Sequence, residues 1–365
     1  MKTYEPMTNP RFFRKFSGLT YFFAFGALLG ACSSSEGEPG GGGGSSGSPA
    51  GTSGSGGTNA SGSGNTSGSS SGSTTGGTPS GPSDVVGSFQ VQLVVDTEDP
   101  EKGSTSVIGK VNDGSSPANL VWTTIKEEGD CRLEKPSVPF CDPGCGADVC
   151  VADGECQAYP KGQSAGEVTL SGVKLAGGES SLVLKEVVNA YQPPANTTFA
   201  WPPFAEGDEV TVKAAGDAVA AFELKAQGVK PMVLMGKTYE VAEGKQLDLA
   251  WEAAGDSKAS QVHLKLDISH HGGTRGMIQC DTDDTGSLSI SGAMITELIG
   301  LGTAGFPTFV LTRSTRGEAQ LTHGVVELEV SAKVEQAVMV AGVTSCTEDS
   351  DCADGETCQD DLTCM

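Results

Sequence analysis

Val262-His263-Leu264-Lys265-Leu266-Asp267-Ile268 decides the class of fold. Apolar and polar residues alternate through it without a break. Successive side chains of a β-strand point to opposite faces, so Val262, Leu264, Leu266 and Ile268 line one face and His263, Lys265 and Asp267 the other. A helix would scatter the same apolar residues around its circumference. A half-buried strand needs neighbours to pair with, and the same period recurs on both sides of it.

Phe89, Val91, Leu93 and Val95 repeat the pattern. Leu120, Trp122 and Thr124 follow, then Val168, Leu170, Val173 and Leu175, then Leu182, Leu184 and Val187. Val210 and Val212 lead through a turn at Gly216-Asp217 to Val219, Ala221 and Phe222. Leu247, Leu249 and Trp251, the pair Phe309 and Leu311, and the run Val325 to Val330 add further strands. Strands at this spacing, separated by Gly-rich turns, predict an antiparallel β-sandwich. One helix is predicted, from Ser291 to Leu301, with Ser291 as its cap and Met294, Ile295, Leu298, Ile299 and Leu301 as its apolar face. Trp251 and the later Cys280 suggest an Ig-like arrangement, in which a core Trp packs on an inter-sheet disulfide. The first cysteine of such a pair is missing from its expected place, so the likeness is one of architecture.

The chain has 11 cysteines. Five lie at Cys131, Cys141, Cys145, Cys150 and Cys156, one at Cys280, and four at Cys346, Cys352, Cys358 and Cys364; Cys32 stands apart. Setting Cys32 aside leaves an even number, the mark of a disulfide-bonded exported protein. The last four are evenly spaced in a stretch almost without apolar residues, which only cross-links can hold. Four cysteines allow three pairings. The interleaved one is expected, Cys346 with Cys358 and Cys352 with Cys364. The same logic pairs Cys141 with Cys150 and Cys145 with Cys156 and leaves Cys131 for Cys280. The other connectivities stay open. Zinc would require closer cysteine pairs or nearby histidines.

Export is written at the N-terminus. Arg11, Arg14 and Lys15 precede an apolar run from Phe16 to Leu29, shorter than the about 20 residues of a membrane span. Leu29-Gly30-Ala31-Cys32 closes it and reads as a lipobox, in which Cys32 takes a lipid after residues 1–31 are removed. Ser33 follows; by resemblance to Gram-negative lipoproteins, the lack of Asp there implies the outer membrane, on its periplasmic or cell-surface side. Cleavage before Cys32 would remove four basic residues and one acidic one, taking the formal net charge from −23 to −26. Such a charge repels nucleic acid. Residues 33–83 are nearly all Gly, Ser, Thr, Pro and Asn. They cannot bury apolar surface and predict a disordered tether with an r.m.s. span of roughly 40 Å. The folded body is expected over residues 84–343, as one large β domain or two subdomains, with a Cys-rich insertion at 131–156 and a Cys-rich module at 344–365.

One resemblance covers most of this body. Phe204-Ala205-Glu206-Gly207-Asp208 through Phe222, then Trp251, then Cys280-Asp281 through Gly286-Ser287, together with the two cysteine clusters, resembles Gram-negative surface lipoproteins with a Gly/Ser-rich tether, a β-sandwich body and small Cys-rich modules. It implies fold and location and supplies no activity.

Four sets of residues are candidates for function. Asp284-Thr285-Gly286-Ser287 has the letters of an aspartic-protease loop, but that chemistry needs a second such loop and the chain has none. Asp281, Asp283 and Asp284 offer a calcium site, although an EF-hand's closing Glu is replaced by Gly292. His270 and His271 would need a third ligand to hold a metal. Tyr191, Trp201 and Phe204, with Phe199, lie among prolines and are expected to form an exposed ligand-contact loop. The expectation is a membrane-anchored lipoprotein with a binding, adhesion or structural role, without a cofactor, whose partner is a surface glycan or protein. The alternatives are an exported hydrolase centred on Asp284 or on His270 and His271, and a calcium-stabilised module.

Overall fold

Alternation becomes pairing along most of the body. The computed structural model describes residues 85–365 apart from Asn119 and Ser257. The expected signal segment, Cys32, the expected tether and Asp84 lie outside the described residues. The strands are β1 (Val85–Val95), β2 (Gly103–Val111), β3 (Val121–Glu128), β4 (Cys131–Ser137), β5 (Val149–Ala152), β6 (Glu155–Gln157) and β7 (Val168–Ser171). There follow β8 (Ser181–Val187), β9 (Ala190–Gln192), β10 (Glu209–Ala214), β11 (Phe222–Gln227), β12 (Glu240–Val241) and β13 (Leu247–Ala250). The chain continues with β14 (Gln261–Asp267), β15 (Met277–Asp283), β16 (Ser287–Ile290), the helix α1 (Gly292–Gly300), β17 (Thr308–Leu321), β18 (Gly324–Ala337) and β19 (Met339–Val340).

The fold is mainly β. Thirteen strands join one sheet in the order β11-β10-β7-β8-β9-β2-β1-β18-β17-β14-β15-β4-β3. The pairs β13 with β16, β12 with β19 and β5 with β6 stand outside it. The pairing is antiparallel with two exceptions, since β1 runs parallel to β18 and β12 to β19. The antiparallel expectation holds for every other strand pair. Parallel neighbours need a long crossover, and nearly the whole body lies between β1 and β18.

One sheet makes two layers because it turns back on itself. Phe89 of β1 lies 6.0 Å from Phe222 of β11, centroid to centroid, across the enclosed space. Thr315 Oγ1 of β17 donates to the carbonyl of Gln227, just at the end of β11. Gly317 permits this approach: a Cβ there would sit 1.8 Å from the carbonyl oxygen of Lys225. Val91, Leu93, Val212, Leu224, Leu328 and Val330 fill the interior and are fully buried or nearly so.

The other half of the sheet is covered by separate pieces. Leu264, Leu266, Ile278 and Leu311 share their core with Leu249, Ile290, Ile295 and Leu298, so β13, β16 and α1 form the second layer there. Tyr239 meets Phe309 edge-on at 5.0 Å. The helix is one residue shorter than expected. Ser291 Oγ accepts the Met294 N–H at 3.2 Å, while Leu301 is already the C-cap and Gly302 takes a left-handed φ of 105°. The long strands β17 and β18 serve both halves, and the two halves share one contiguous core.

The cysteines form five disulfides: Cys131–Cys280, Cys141–Cys150, Cys145–Cys156, Cys346–Cys358 and Cys352–Cys364. Both clusters are thus interleaved. Cys131 and Cys280 oppose each other on the paired strands β4 and β15. This bond lies within one sheet and not between two, so it departs from the Ig pattern. The C-terminal module is docked through Asp361, whose carbonyl accepts the Gly305 N–H at 2.7 Å and whose carboxylate meets Arg275 at 3.2 Å.

Gly317→Ala tests the closure. Overpacking against a main-chain carbonyl is expected to cost about 1–3 kcal/mol. Gly144, whose added Cβ would meet nothing within 4 Å, serves as control, and Gly144→Ala should stay within about 0.5 kcal/mol. Urea unfolding of both variants under oxidising conditions measures the difference.

Candidate functional site

The turn after β15 carries the Asp-Thr-Gly-Ser letters, and its geometry decides their meaning. β15 ends at Asp283 and β16 begins at Ser287, so residues 284–286 form the reversal. It sends the Asp284 side chain inward, where it is fully buried. Arg313 of β17, also buried, meets it with Nε on Oδ2 and with Nη2 on Oδ1, the latter at 3.0 Å. Trp251 Nε1 donates to Oδ1 and Ser260 Oγ to Oδ2, each at 2.8 Å. The remaining guanidinium protons go to the carbonyls of Lys230, Pro231 and Glu252. Burial works to raise the Asp284 pKa, but Arg313, Trp251 and Ser260 outweigh it and hold it below its ordinary value. A carboxylate held ionised near neutral pH, with its oxygens taken up by Arg313, Trp251 and Ser260, is poorly placed to transfer protons or to bind calcium. Asp284 is thus engaged within the protein, between β15 and β17.

The other two acids do not join it. Asp281 and Asp283 project from the opposite face of β15, where alternation puts them. Asp281 Oδ1 lies 2.7 Å from His263 Nδ1 and its Oδ2 accepts from Arg132 at 2.6 Å. His263, and after it Arg132, hold this carboxyl well below its ordinary value against the opposing effect of burial. Asp283 accepts from Gln261 at 3.2 Å. Among the described residues, no three histidine, aspartate or glutamate side chains bring ligand atoms together as a metal ion needs. The sets that do converge are cysteines already in disulfides. His270 and His271 stack on each other at 3.9 Å in the loop between β14 and β15, with no third ligand.

The expected aromatic loop is likewise corrected. Tyr191 is 1% and Phe204 2% exposed. The Tyr191 hydroxyl accepts the Ala165 N–H at 2.7 Å, and its ring lies 6.0 Å from Phe89. Trp201 and Phe199 are partly buried, packed against the core. The prolines around them shape a segment that lies down on the sheet and seals it. Among the described residues, the exposed aromatics are Phe140, within the Cys-rich insertion, and Tyr159, just after it, at 72% and 56%.

Two of the expected residues border cavities: Trp201, with Phe199, lines one of about 230 Å³ against Gly103–Thr105, and Asp281 lines another. The latter, of about 510 Å³, lies over the polar face beside His263, Asp281, Ser314 and Arg316. One of about 570 Å³ lies between Asp96, Glu98 and Lys237 over Met232 and Val334. A smaller one of about 190 Å³ opens at the end of the curled sheet, among Val86, Asn112, Val219 and Leu321. Sequence reading missed these because each is made by residues far apart in the chain. His263 carried a signal, as a histidine on the polar face of an otherwise regular strand.

No family model and no curated protein matches this chain. Among solved structures, the crystal structure of chicken CNTN1 FN1-FN3 domains is similar at 6% identity, covering 62% of this chain and 71% of that one, with a TM-score of 0.17. A score that low supports no argument about fold or function. No described helix is long and apolar enough to cross a membrane.

Asp284→Asn leaves Arg313 buried without its counter-charge and is expected to cost about 3–5 kcal/mol, whereas the double change Asp284→Leu with Arg313→Met should recover most of that loss. The lowered pKa places the contribution of Asp284 above about pH 4, the ordinary carboxylate value, and removes it as pH falls through the folded value. Denaturant unfolding at pH 7 and at low pH checks both statements.

Proposed function

We propose that this protein is a lipid-anchored surface lipoprotein whose body binds a ligand without catalysing a reaction on it. The observation that supports this most directly is the buried pair of Asp284 with Arg313. The residue around which a hydrolase would be built is committed to holding strands together. Among the described residues, none joins the second candidate centre, His270 with His271, as a third ligand. Neither calcium nor hydrolysis is favoured by a specific contact.

The rest of the reading is spatial. Leu29-Gly30-Ala31-Cys32 supplies the anchor and residues 33–83 the tether. Several acyl chains hold a protein in a bilayer far better than one. Five disulfides suit an oxidising compartment. The ligand is expected to be a surface glycan or protein, and the mature net charge of −26 turns nucleic acid away.

Metabolic labelling with an alkyne-bearing palmitate tests the anchor. The wild-type chain should take the label, fractionate with the outer membrane and show a Cys32 N-terminus heavier by its acyl groups. Cys32→Ser should lose the label and the membrane association. Label retained in Cys32→Ser, or an unmodified native Cys32, would defeat the reading.

A further inference from the structure

We infer that the Cys-rich insertion carries a docking face, matching the one that seats the C-terminal module, and that this face takes an arginine-bearing loop of a partner protein. The inference rests on the binding role proposed above and names the class of partner.

The two cysteine clusters are one small fold used twice. In each, the first cysteine is bonded to the third and the second to the fourth. The third and fourth then oppose each other across a hairpin, Cys150 with Cys156 and Cys358 with Cys364. Five residues separate them in both. The third of the five is an aspartate, Asp153 or Asp361. The fourth has a left-handed backbone, Gly154 at φ 73° and Leu362 at φ 63°. The chain leading into the first cysteine lies against this turn both times: the Phe140 carbonyl accepts the Gly154 N–H at 2.9 Å, and the Cys346 N–H donates to the Leu362 carbonyl at 3.0 Å.

The copies differ in what covers the turn. In the C-terminal module the turn is the seat. The Asp361 carbonyl accepts the Gly305 N–H, its Oδ2 meets Arg275, and Ser345 Oγ donates to the Gly305 carbonyl. Asp361 and Leu362 are half-buried there and Thr363 is buried. The matching Asp153, Gly154 and Glu155 of the insertion are all exposed. Phe140 precedes the first cysteine as Ser345 does in the other copy, and it is 72% exposed. An aromatic ring left in water at such a position gains from being covered.

Charge selects the occupant. Between Pro136 and Pro160 the chain has four acidic residues and no lysine or arginine. A second copy would bring the same acids against these, and an anionic lipid surface would also be repelled. Asp153 Oδ1 holds the Phe140 N–H at 2.8 Å, which leaves Oδ2 for a cation. Asp361 divides its oxygens in the same way, with Oδ1 on the Thr363 hydroxyl and Oδ2 on Arg275. A guanidinium suits both neighbours, since its fork meets a carboxylate and its face lies on an aromatic ring.

The test uses the mature chain with Cys32→Ser, isotope-labelled for two-dimensional amide NMR. The probe is a cyclic Gly-Gly-Thr-Arg-Gly peptide, which has the sequence of residues 272–276 around the arginine that Asp361 meets. Its Arg→Gln form is the control. The arginine peptide should give saturable shifts at Phe140, Asp153 and Gly154, and the glutamine peptide should bind about fivefold more weakly, the upper range for an exposed ion pair. Asp153→Asn keeps the acceptor for the Phe140 N–H and should also weaken binding about fivefold. Phe140→Ser, at an exposed side chain, should weaken it about threefold. No shift at these amides, equal binding of the two peptides, or unchanged binding in Asp153→Asn would overturn the inference. Shifts confined to other parts of the body would overturn it too, while leaving the binding role in place. Lipid labelling of Cys32 is independent of these results, so the anchor stands or falls separately.

Discussion

The contact between Arg313 and Asp284 constrains this fold more than any other. Taking two charges out of water is costly, and their attraction repays it only when every remaining donor and acceptor is met. Here they are met by Trp251, by Ser260 and by three main-chain carbonyls on two segments. Arg313 thereby ties β17 to the strand end at Trp251, to residues 230–231 and to the turn after β15. A chain arrangement that shifts any one of these leaves a buried charge unpaired. The pair thus selects one arrangement among those that hydrophobic burial alone would accept, and the covering layer of β13, β16 and α1 is positioned by it.

Much of the sheet was legible and the site was not, for a physical reason. Period-2 alternation is local, so β1, β10, β13, β14 and β17 stand out from their own residues. β4 does not, since Cys131-Arg132-Leu133-Glu134-Lys135-Pro136-Ser137 has few apolar residues and is held by pairing and by Cys280. Arg313 carried a signal in that it continues the face of Phe309 and Leu311. A charge at a core-facing position asks for a buried partner, and Asp284 is that partner. The letters around Asp284 were conspicuous for another chemistry. Tyr191, Trp201 and Phe204 lie among prolines and polar residues, which locally resembles a surface loop, and only the distant strands beneath them account for their burial.

The Cys-rich segments solve a problem that the sheet does not share. The sheet buries enough apolar surface to hold itself, while the insertion and the C-terminal module have almost none to bury. Interleaved disulfides fix each of them, and hydrogen bonds of Asp361 and Ser345 with Gly305 seat the second against the body. The modules are accessories fastened to a finished scaffold.

The place of β1 carries a mechanical consequence. It enters the body in the middle of the sheet, bonded along its length to β2 on one side and to β18 on the other. A pull on the segment before Val85 runs along these strands, so the force falls on both rows of hydrogen bonds at once, in shear. Strands loaded at one end from a sheet edge peel apart bond by bond, whereas this geometry must break many together. Survival under load is a matter of unfolding rate rather than equilibrium stability. Any pull on the chain at Val85 meets this resistance before the rest of the body is loaded.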